Sequence, residues 1–189
     1  MKQAEFDGKG SCIRWTETPG AEPARVYVHG LGSVSAVYHA HIAARPELAG
    51  RRSLFVDLPG HGISDRPEHF GYRLEDHADA LAAALDAAGL SGAELVAHSM
   101  GGFLTAEALR ELRVQHRDRV IARLGRVVLA APDIDVDDFR AQVQTIGPLK
   151  PPLTVLVSKD DAALRVSNLV GGSRARAGAL DINNPLVQE

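Results

Sequence analysis

The sequence predicts an α/β fold, namely a doubly wound, mostly parallel sheet with helices on both faces, formed by residues 1–189 as a single domain. Two observations support this prediction. Short apolar runs alternate along the chain with longer stretches of helical periodicity, which is the order that forms a parallel sheet covered by helices. The chain has 189 residues, of which 45% are hydrophobic, and this is enough to bury one core of this kind.

The strand predictions rest on β-branched and aliphatic runs that are bounded by turn residues. The Asp7-Gly8 turn separates two such runs, so 4–6 and 11–16 are expected to form an opening hairpin. The remaining strands are expected at 25–28, 53–57, 93–98, 126–131 and 153–158. Because Cys12 is the single cysteine, an internal disulfide is excluded, and this residue is expected to be a thiol in a strand or in the core.

The helix predictions rest on apolar residues repeating every three to four positions. The stretch 74–88 places Leu74, Leu81 and Leu85 on one face and ends before Gly89, a common C-terminal stop. A second helix is expected to begin just after the strand at 93–98. Only about twenty residues separate the last two predicted strands, so any lid is small, with one short helix within 133–147.

Composition excludes several classes of partner. The formal net charge is −3, so no electrostatic footprint for nucleic acid is present, and the basic cluster at 174–176 is expected to be solvated. No run reaches the roughly 18 apolar residues of a membrane span, and the first residues are too polar for a signal peptide. We therefore expect a soluble cytoplasmic protein with neither a nucleic-acid nor a membrane partner.

Ser99 is the candidate nucleophile. It lies in AHSMGG at 97–102, directly after the apolar run at 93–96. A serine hydroxyl is a weak nucleophile and has to be presented on a tight strand-to-helix turn flanked by small residues. Ala97 replaces the first glycine of the G-x-S-x-G pattern, and Gly101 supplies the second. The same small residues would also serve close packing of a helix on a strand, so both interpretations stay open.

Two further glycine-containing segments follow predicted strands. HGLG at 29–32 follows the strand at 25–28, and DLPGHG at 57–62 follows the strand at 53–57. Glycines permit close approach of the backbone at such loops. Either segment alone could be an ordinary loop between a strand and a helix.

In this order, the three motifs resemble the alpha/beta-hydrolase superfamily over nearly the whole chain. Up to Ser99 the chain is similar to single-domain esterases and lipases. After Ser99 it resembles a bacterial alpha/beta-hydrolase family of unknown function, through 127–135 and 153–161. The resemblance implies a serine hydrolase that cleaves small-molecule carboxylic esters without a cofactor. No metal site is expected, because His39-Ala40-His41 is a weak signal by itself.

The resemblance also implies roles for individual residues. The oxyanion hole would be formed by the backbone N–H groups of Leu31 and Met100. The acid is expected at Asp161, and Asp160 and Asp133 are the alternatives. Supporting positions around the nucleophile and the oxyanion loop are expected at His29, Gly30, His98 and Gly101.

The catalytic histidine is missing from its expected place. All eight histidines lie at or before His116, so none follows an acid candidate. We therefore expect a hydrolase fold that lacks its last strand and terminal helix and self-associates through the uncovered edge. His98 is expected to face away from the Ser99 hydroxyl, and His61 is the least unsuitable replacement. Two hypotheses follow: an active serine esterase, or a catalytically silent or truncated hydrolase fold acting as a binding module.

Overall fold

One mixed sheet of seven strands organises the part of the chain that the computed structural model describes, residues 1–158 and 175–180. The strands are β1 (Lys2–Glu5), β2 (Cys12–Thr18), β3 (Ala21–Val28), β4 (Arg51–Asp57), β5 (Ala93–His98), β6 (Leu124–Ala130) and β7 (Thr154–Leu156). Their order in the sheet is β1-β2-β4-β3-β5-β6-β7. Strand β2 pairs antiparallel with β1 and with β4, and all other neighbouring strands are parallel.

Helices cover both faces of this sheet. The described helices are α1 (Ser35–Ala43), α2 (Leu74–Ala87), α3 (Met100–Val114), α4 (Asp118–Ile121) and α5 (Val136–Ile146), with a 3₁₀ turn at Ala177–Ala179. Successive strand residues point to opposite faces. In β3, Tyr27 stacks on His39 of α1, whereas Val26 and Val28 belong to the core that α2 and α3 cover. Helix α1 therefore lies on one face, and α2 and α3 lie on the other.

The elements with a clear apolar pattern form where the sequence predicts them. Strand β5 has the predicted bounds, and α2 ends one residue earlier than predicted. Strands β3 and β4 begin earlier than predicted, and β7 is three residues long rather than six. Cys12 is a buried free thiol in β2, as expected.

Two features were not predicted. Helix α1 buries only Ser35 and His39, so it has no apolar stripe that sequence periodicity could detect. The short helix α4 follows α3 after three residues. Within residues 1–158 and 175–180, no helix is long and apolar enough to cross a bilayer.

Candidate functional site

Ser99 occupies a strained turn between β5 and α3. Its φ of 54° and ψ of −124° lie in a region that non-glycine residues rarely adopt, at a cost of about 1–3 kcal/mol. The backbone N–H of Ser99 donates to the Ala130 carbonyl over 3.0 Å. Its carbonyl accepts from the N–H of Gly102 at 2.9 Å and of Asp133 at 3.3 Å. Strand β6 and the loop that follows it therefore hold the turn in place.

Small residues around Ser99 are required by close backbone packing. A β-carbon on Gly30 would lie 3.1 Å from the Ser99 β-carbon. A β-carbon on Gly101 would lie 2.9 Å from the Val28 carbonyl oxygen and closer still to the His29 carbonyl oxygen. The strained turn and the close packing of α3 on β3 thus occur together, so the two sequence interpretations do not exclude each other.

His29 is fully buried and joins the loop after β3 to the loop after β4. The Leu58 N–H donates to its Nε2 over 3.0 Å, so Nδ1 carries the proton and donates to the Gly30 carbonyl oxygen over 2.7 Å. Burial lowers the pKa of the ring, which favours this neutral form. Because the Gly30 carbonyl and the Leu31 N–H belong to one planar peptide unit, His29 also sets the direction of the Leu31 N–H.

The backbone N–H groups of Leu31 and Met100, the residues that follow Gly30 and Ser99, have no acceptor among the described residues. Met100 is the first residue of the fifteen-residue helix α3. The positive end of the α3 dipole therefore lies directly after Ser99 and favours negative charge there.

Asp57 links α1 to the loop after β4, a role that the sequence analysis did not predict. Its buried carboxylate accepts from the Ser35 N–H over 2.7 Å and from the Ile63 N–H over 3.1 Å. The first bond satisfies an unpaired donor at the start of α1. A side chain at Gly62 would overlap the Asp57 carboxylate, which explains the glycine in the DLPGHG segment.

His98 packs against α1. Its ring stacks on Tyr38 at a centroid distance of 4.9 Å, and its Nε2 lies 3.4 Å from the Tyr38 hydroxyl. Its Nδ1 lies 3.5 Å from the position of a β-carbon on Gly30, the same glycine that borders Ser99. Ser99 lies in the turn beyond the last residue of β5. The rule that successive strand side chains point to opposite faces therefore does not apply between His98 and Ser99.

His61 belongs to a group of three histidine rings next to the end of β4. Its Nδ1 lies 3.2 Å from the Pro59 carbonyl oxygen, and its ring centroid lies 5.0 Å from that of His29 and 6.4 Å from that of His77. No hydrogen bond joins Ser99 to a histidine within residues 1–158 and 175–180.

Asp133 is the one acid candidate within the described residues, and Asp160 and Asp161 lie outside them. The Asp133 carboxylate faces Arg176, with 3.4 Å between the Asp133 Oδ1 and the Arg176 Nε. The adjoining turn is fixed by backbone bonds from Ala177 to Ile134 and from Gly178 to Pro132. The sequence predicts a solvated basic cluster at 174–176. For Arg176 this is wrong, because its side chain is 17% exposed and paired with Asp133.

No metal centre is found in the described part of the chain, where no three His, Cys, Asp or Glu side chains form a group that could hold an ion. His39 stacks on Tyr27 and approaches the Ser35 hydroxyl with its Nδ1 at 3.2 Å. The His39-Ala40-His41 segment therefore contributes its first histidine to packing inside the fold.

Comparison with known proteins identifies the family. Residues 66–189 match the family described as alpha/beta hydrolase of unknown function (DUF900). The 2-hydroxy-6-oxononadienedioate/2-hydroxy-6-oxononatrienedioate hydrolase of Burkholderia vietnamiensis is 36% identical over 99 residues, which are 51% of this chain and 34% of that protein. The 2-hydroxy-6-oxo-2,4-heptadienoate hydrolase of Pseudomonas putida is 34% identical over 109 residues, 57% of this chain and 39% of that protein.

A solved esterase from Exiguobacterium antarcticum has the same fold. It superimposes with a TM-score of 0.57 at 22% identity, covering 69% of this chain and 44% of the esterase. The matches thus span about a third of the Burkholderia hydrolase, 34%, and less than half of the esterase, 44%. Because the family match covers well over half of the chain, the chain belongs to the alpha/beta-hydrolase superfamily, within its family of alpha/beta hydrolases of unknown function.

Proposed function

We propose that the protein is a serine hydrolase that cleaves small-molecule carboxylic esters through Ser99. The observation that carries this proposal is the strained backbone of Ser99, with φ at 54°. Such strain is typical of functional sites and is retained only where the surrounding structure enforces it. Here β6, Gly30 and Gly101 enforce it around a serine between a strand and a helix N-terminus, where an alpha/beta hydrolase presents its nucleophile.

In the proposed reaction, the Ser99 Oγ attacks the ester carbonyl carbon and the carbonyl oxygen becomes an oxyanion. The Leu31 and Met100 N–H groups supply the hydrogen bonds that stabilise it. The intermediate collapses by breaking the bond to the alcohol oxygen, and the serine proton leaves with the alcohol. Water then attacks the acyl-enzyme, releasing the carboxylic acid and restoring the Ser99 hydroxyl. This scheme requires no cofactor.

A second candidate is a catalytically silent hydrolase fold that binds a small molecule at the same turn. One observation favours it, namely that no histidine of residues 1–158 and 175–180 hydrogen-bonds to Ser99. Without a base, the rate falls steeply, although about 10³ to 10⁴-fold acceleration over water can remain from the oxyanion hole and binding. Residual hydrolysis alone therefore does not separate the two candidates.

Covalent labelling separates them. The full chain is treated with a fluorophosphonate probe beside two variants, Ser99→Ala and, as a matched control, Ser91→Ala in the exposed turn before β5. The proposal predicts an adduct on the Ser99 peptide in the wild type and in Ser91→Ala, and none in Ser99→Ala. Folded wild-type protein, verified by circular dichroism, that takes up no probe would overturn the hydrolase in favour of the binding module.

The cytoplasmic location and the self-association stay predictions. Strand β7 is the last strand of the described sheet, and its Leu156 is 53% exposed, which supports association at this edge. Light scattering after size-exclusion chromatography would contradict the self-association by showing only a monomer at all concentrations.

A further inference from the structure

Two surface cavities adjoin each other at Pro148 and Leu149, near the amino-terminal ends of strands β6 and β7. Their volumes are about 330 and 380 Å³, at the lower end of the range for small-molecule sites. Ser99 follows the carboxyl end of β5, which is parallel to β6. The cavities therefore lie at the amino-terminal ends of the strands, whereas Ser99 lies at the carboxyl ends. They share no lining residue with the candidate active site.

The first cavity is positively charged. Its charged lining residues are Arg113, Asp118, Arg126 and Lys150. Asp118 is already paired, because its Oδ1 accepts from the Arg113 Nη1 over 2.6 Å. Arg113 also donates from Nε to the Ile146 carbonyl oxygen over 2.8 Å, which neutralises part of the negative end of α5.

Two of these cations have no acidic partner within the described ranges, namely Arg126 and Lys150. Glu94 is the neighbour of Arg126 on β5, but its carboxylate accepts from the Arg25 Nε over 2.6 Å. The cavity therefore keeps two positive charges that remain available to an anion.

The second cavity is apolar. It lies between α5 and the segment that leads into β7, and no charged residue lines it. Its walls include Phe139 and Val143 from α5, and Leu153 and Val155 from the opposite side. Val143 is 39% exposed, so a chain entering the cavity would remove apolar surface from water.

We propose that the two cavities together bind an amphiphilic carboxylate, such as a medium-chain fatty acid. The carboxylate lies between Arg126 and Lys150, and the alkyl chain passes Leu149 into the apolar cavity. The charges attract the head group, and each buried methylene strengthens binding by about fourfold. This proposal does not depend on whether Ser99 is catalytic.

The head-group assignment is tested by isothermal titration calorimetry of the full chain with decanoate below its micelle-forming concentration. The Arg126→Gln, Lys150→Gln double variant is expected to weaken decanoate binding about tenfold and to leave binding of the uncharged decanol unchanged. The double variant Lys9→Gln, Arg66→Gln removes the same charge from exposed positions and serves as the control. Equal affinities in the two double variants would overturn the head-group assignment.

The chain assignment is tested by adding a charge to the apolar cavity. Val143→Glu is expected to weaken decanoate and decanol alike by about tenfold or more, because the new carboxylate must lose its hydration when the chain enters. Gln144→Glu adds the same charge at the next, exposed position of α5 and is expected to leave decanol binding unchanged. Circular dichroism verifies folding of each variant. Wild-type protein that binds no decanoate, or Val143→Glu that binds both probes normally, would overturn the proposal.

Discussion

Gly30 contacts Ser99 so closely that a β-carbon on residue 30 would stand 3.1 Å from the Ser99 β-carbon. Such a contact is too short unless the neighbour moves by a few tenths of an ångström. The loop after β3 would then shift away from β5, and the Leu31 N–H would move with it. The relationship between these two residues therefore controls the spacing between the candidate nucleophile and a candidate oxyanion donor.

We predict that Gly30→Ala slows fluorophosphonate labelling of Ser99 by about tenfold or more, since small misplacements of reacting groups are costly. We also expect it to lower the free energy of unfolding by about 1–3 kcal/mol through overpacking. Both are measured on purified protein, by mass spectrometry and by urea denaturation.

The control for this substitution is Gly89→Ala. A β-carbon there meets no atom within 4 Å, but φ is 61°, so the variant is expected to lose about 1 kcal/mol and to label at the wild-type rate. Labelling that slows equally in both variants would show that stability, rather than the contact with Ser99, controls the rate.

His29→Phe is predicted to destabilise the protein and to slow labelling. The ring volume is kept, but the buried Leu58 N–H and the Gly30 carbonyl lose their partner, which costs about 1–3 kcal/mol for each group that stays unsatisfied. The direction of the Leu31 N–H is no longer set. Urea denaturation and the labelling rate are the measurements.

The comparison for His29→Phe is His41→Phe on the exposed side of α1, which is expected to change neither quantity. Wild-type labelling by a clearly destabilised His29→Phe would contradict the idea that this ring orients the oxyanion loop.

The parts of the fold that could be predicted are those with a local pattern. Strand β5 is a short apolar run that ends at the serine turn, and α2 repeats its apolar residues at the helical period. Helix α1 could not be predicted in this way, because it buries only a serine and a histidine. Its start is fixed instead by Asp57, a residue 22 positions further along the chain.

In the candidate site, too, only the features with a local sequence pattern could be predicted. The serine turn has a motif, because a strained backbone requires small neighbours at fixed offsets. No sequence motif marks the ion pair between Asp133 and Arg176, because this pair forms only when the chain returns to the end of β6. A basic cluster looks the same in sequence whether it is solvated or paired.

Asp57→Ala is predicted to lower the free energy of unfolding by about 3 kcal/mol, because the Ser35 and Ile63 N–H groups lose a charged acceptor. The two N–H groups bind different oxygens of Asp57, so Asp57→Asn keeps an acceptor for one of them and sets an NH2 group against the other. This variant is therefore expected to recover about half of the loss. Urea denaturation compares the three proteins. Equal loss in the two variants would show that the negative charge, rather than the acceptor geometry, stabilises the start of α1.

Acid is predicted to destabilise the protein through its buried histidines. Burial lowers the pKa of His39 and of His77 from 6.5 to about 4. For His77, the rings of His61 and His29 add to this effect, and Asp76 opposes it. Between these pKa values the unfolded state binds more protons than the folded state, so stability is fully present above pH 6.5 and declines as the pH falls toward 4.

We expect each of the two histidines to contribute a loss of about 2 kcal/mol between about pH 7 and pH 5. His77→Phe should remove its share of this loss, because phenylalanine takes no proton. The new ring can pack among Phe70 and Tyr72, and it removes a buried Nδ1 that has no hydrogen-bond partner among the described residues. Urea denaturation at both pH values measures the difference. The exposed His41→Phe should leave the His77 share unchanged, because His41 is not among the groups that shift the pKa of His77. A His77→Phe variant that loses as much stability on acidification as the wild type would show that this ring is not a source of the pH dependence.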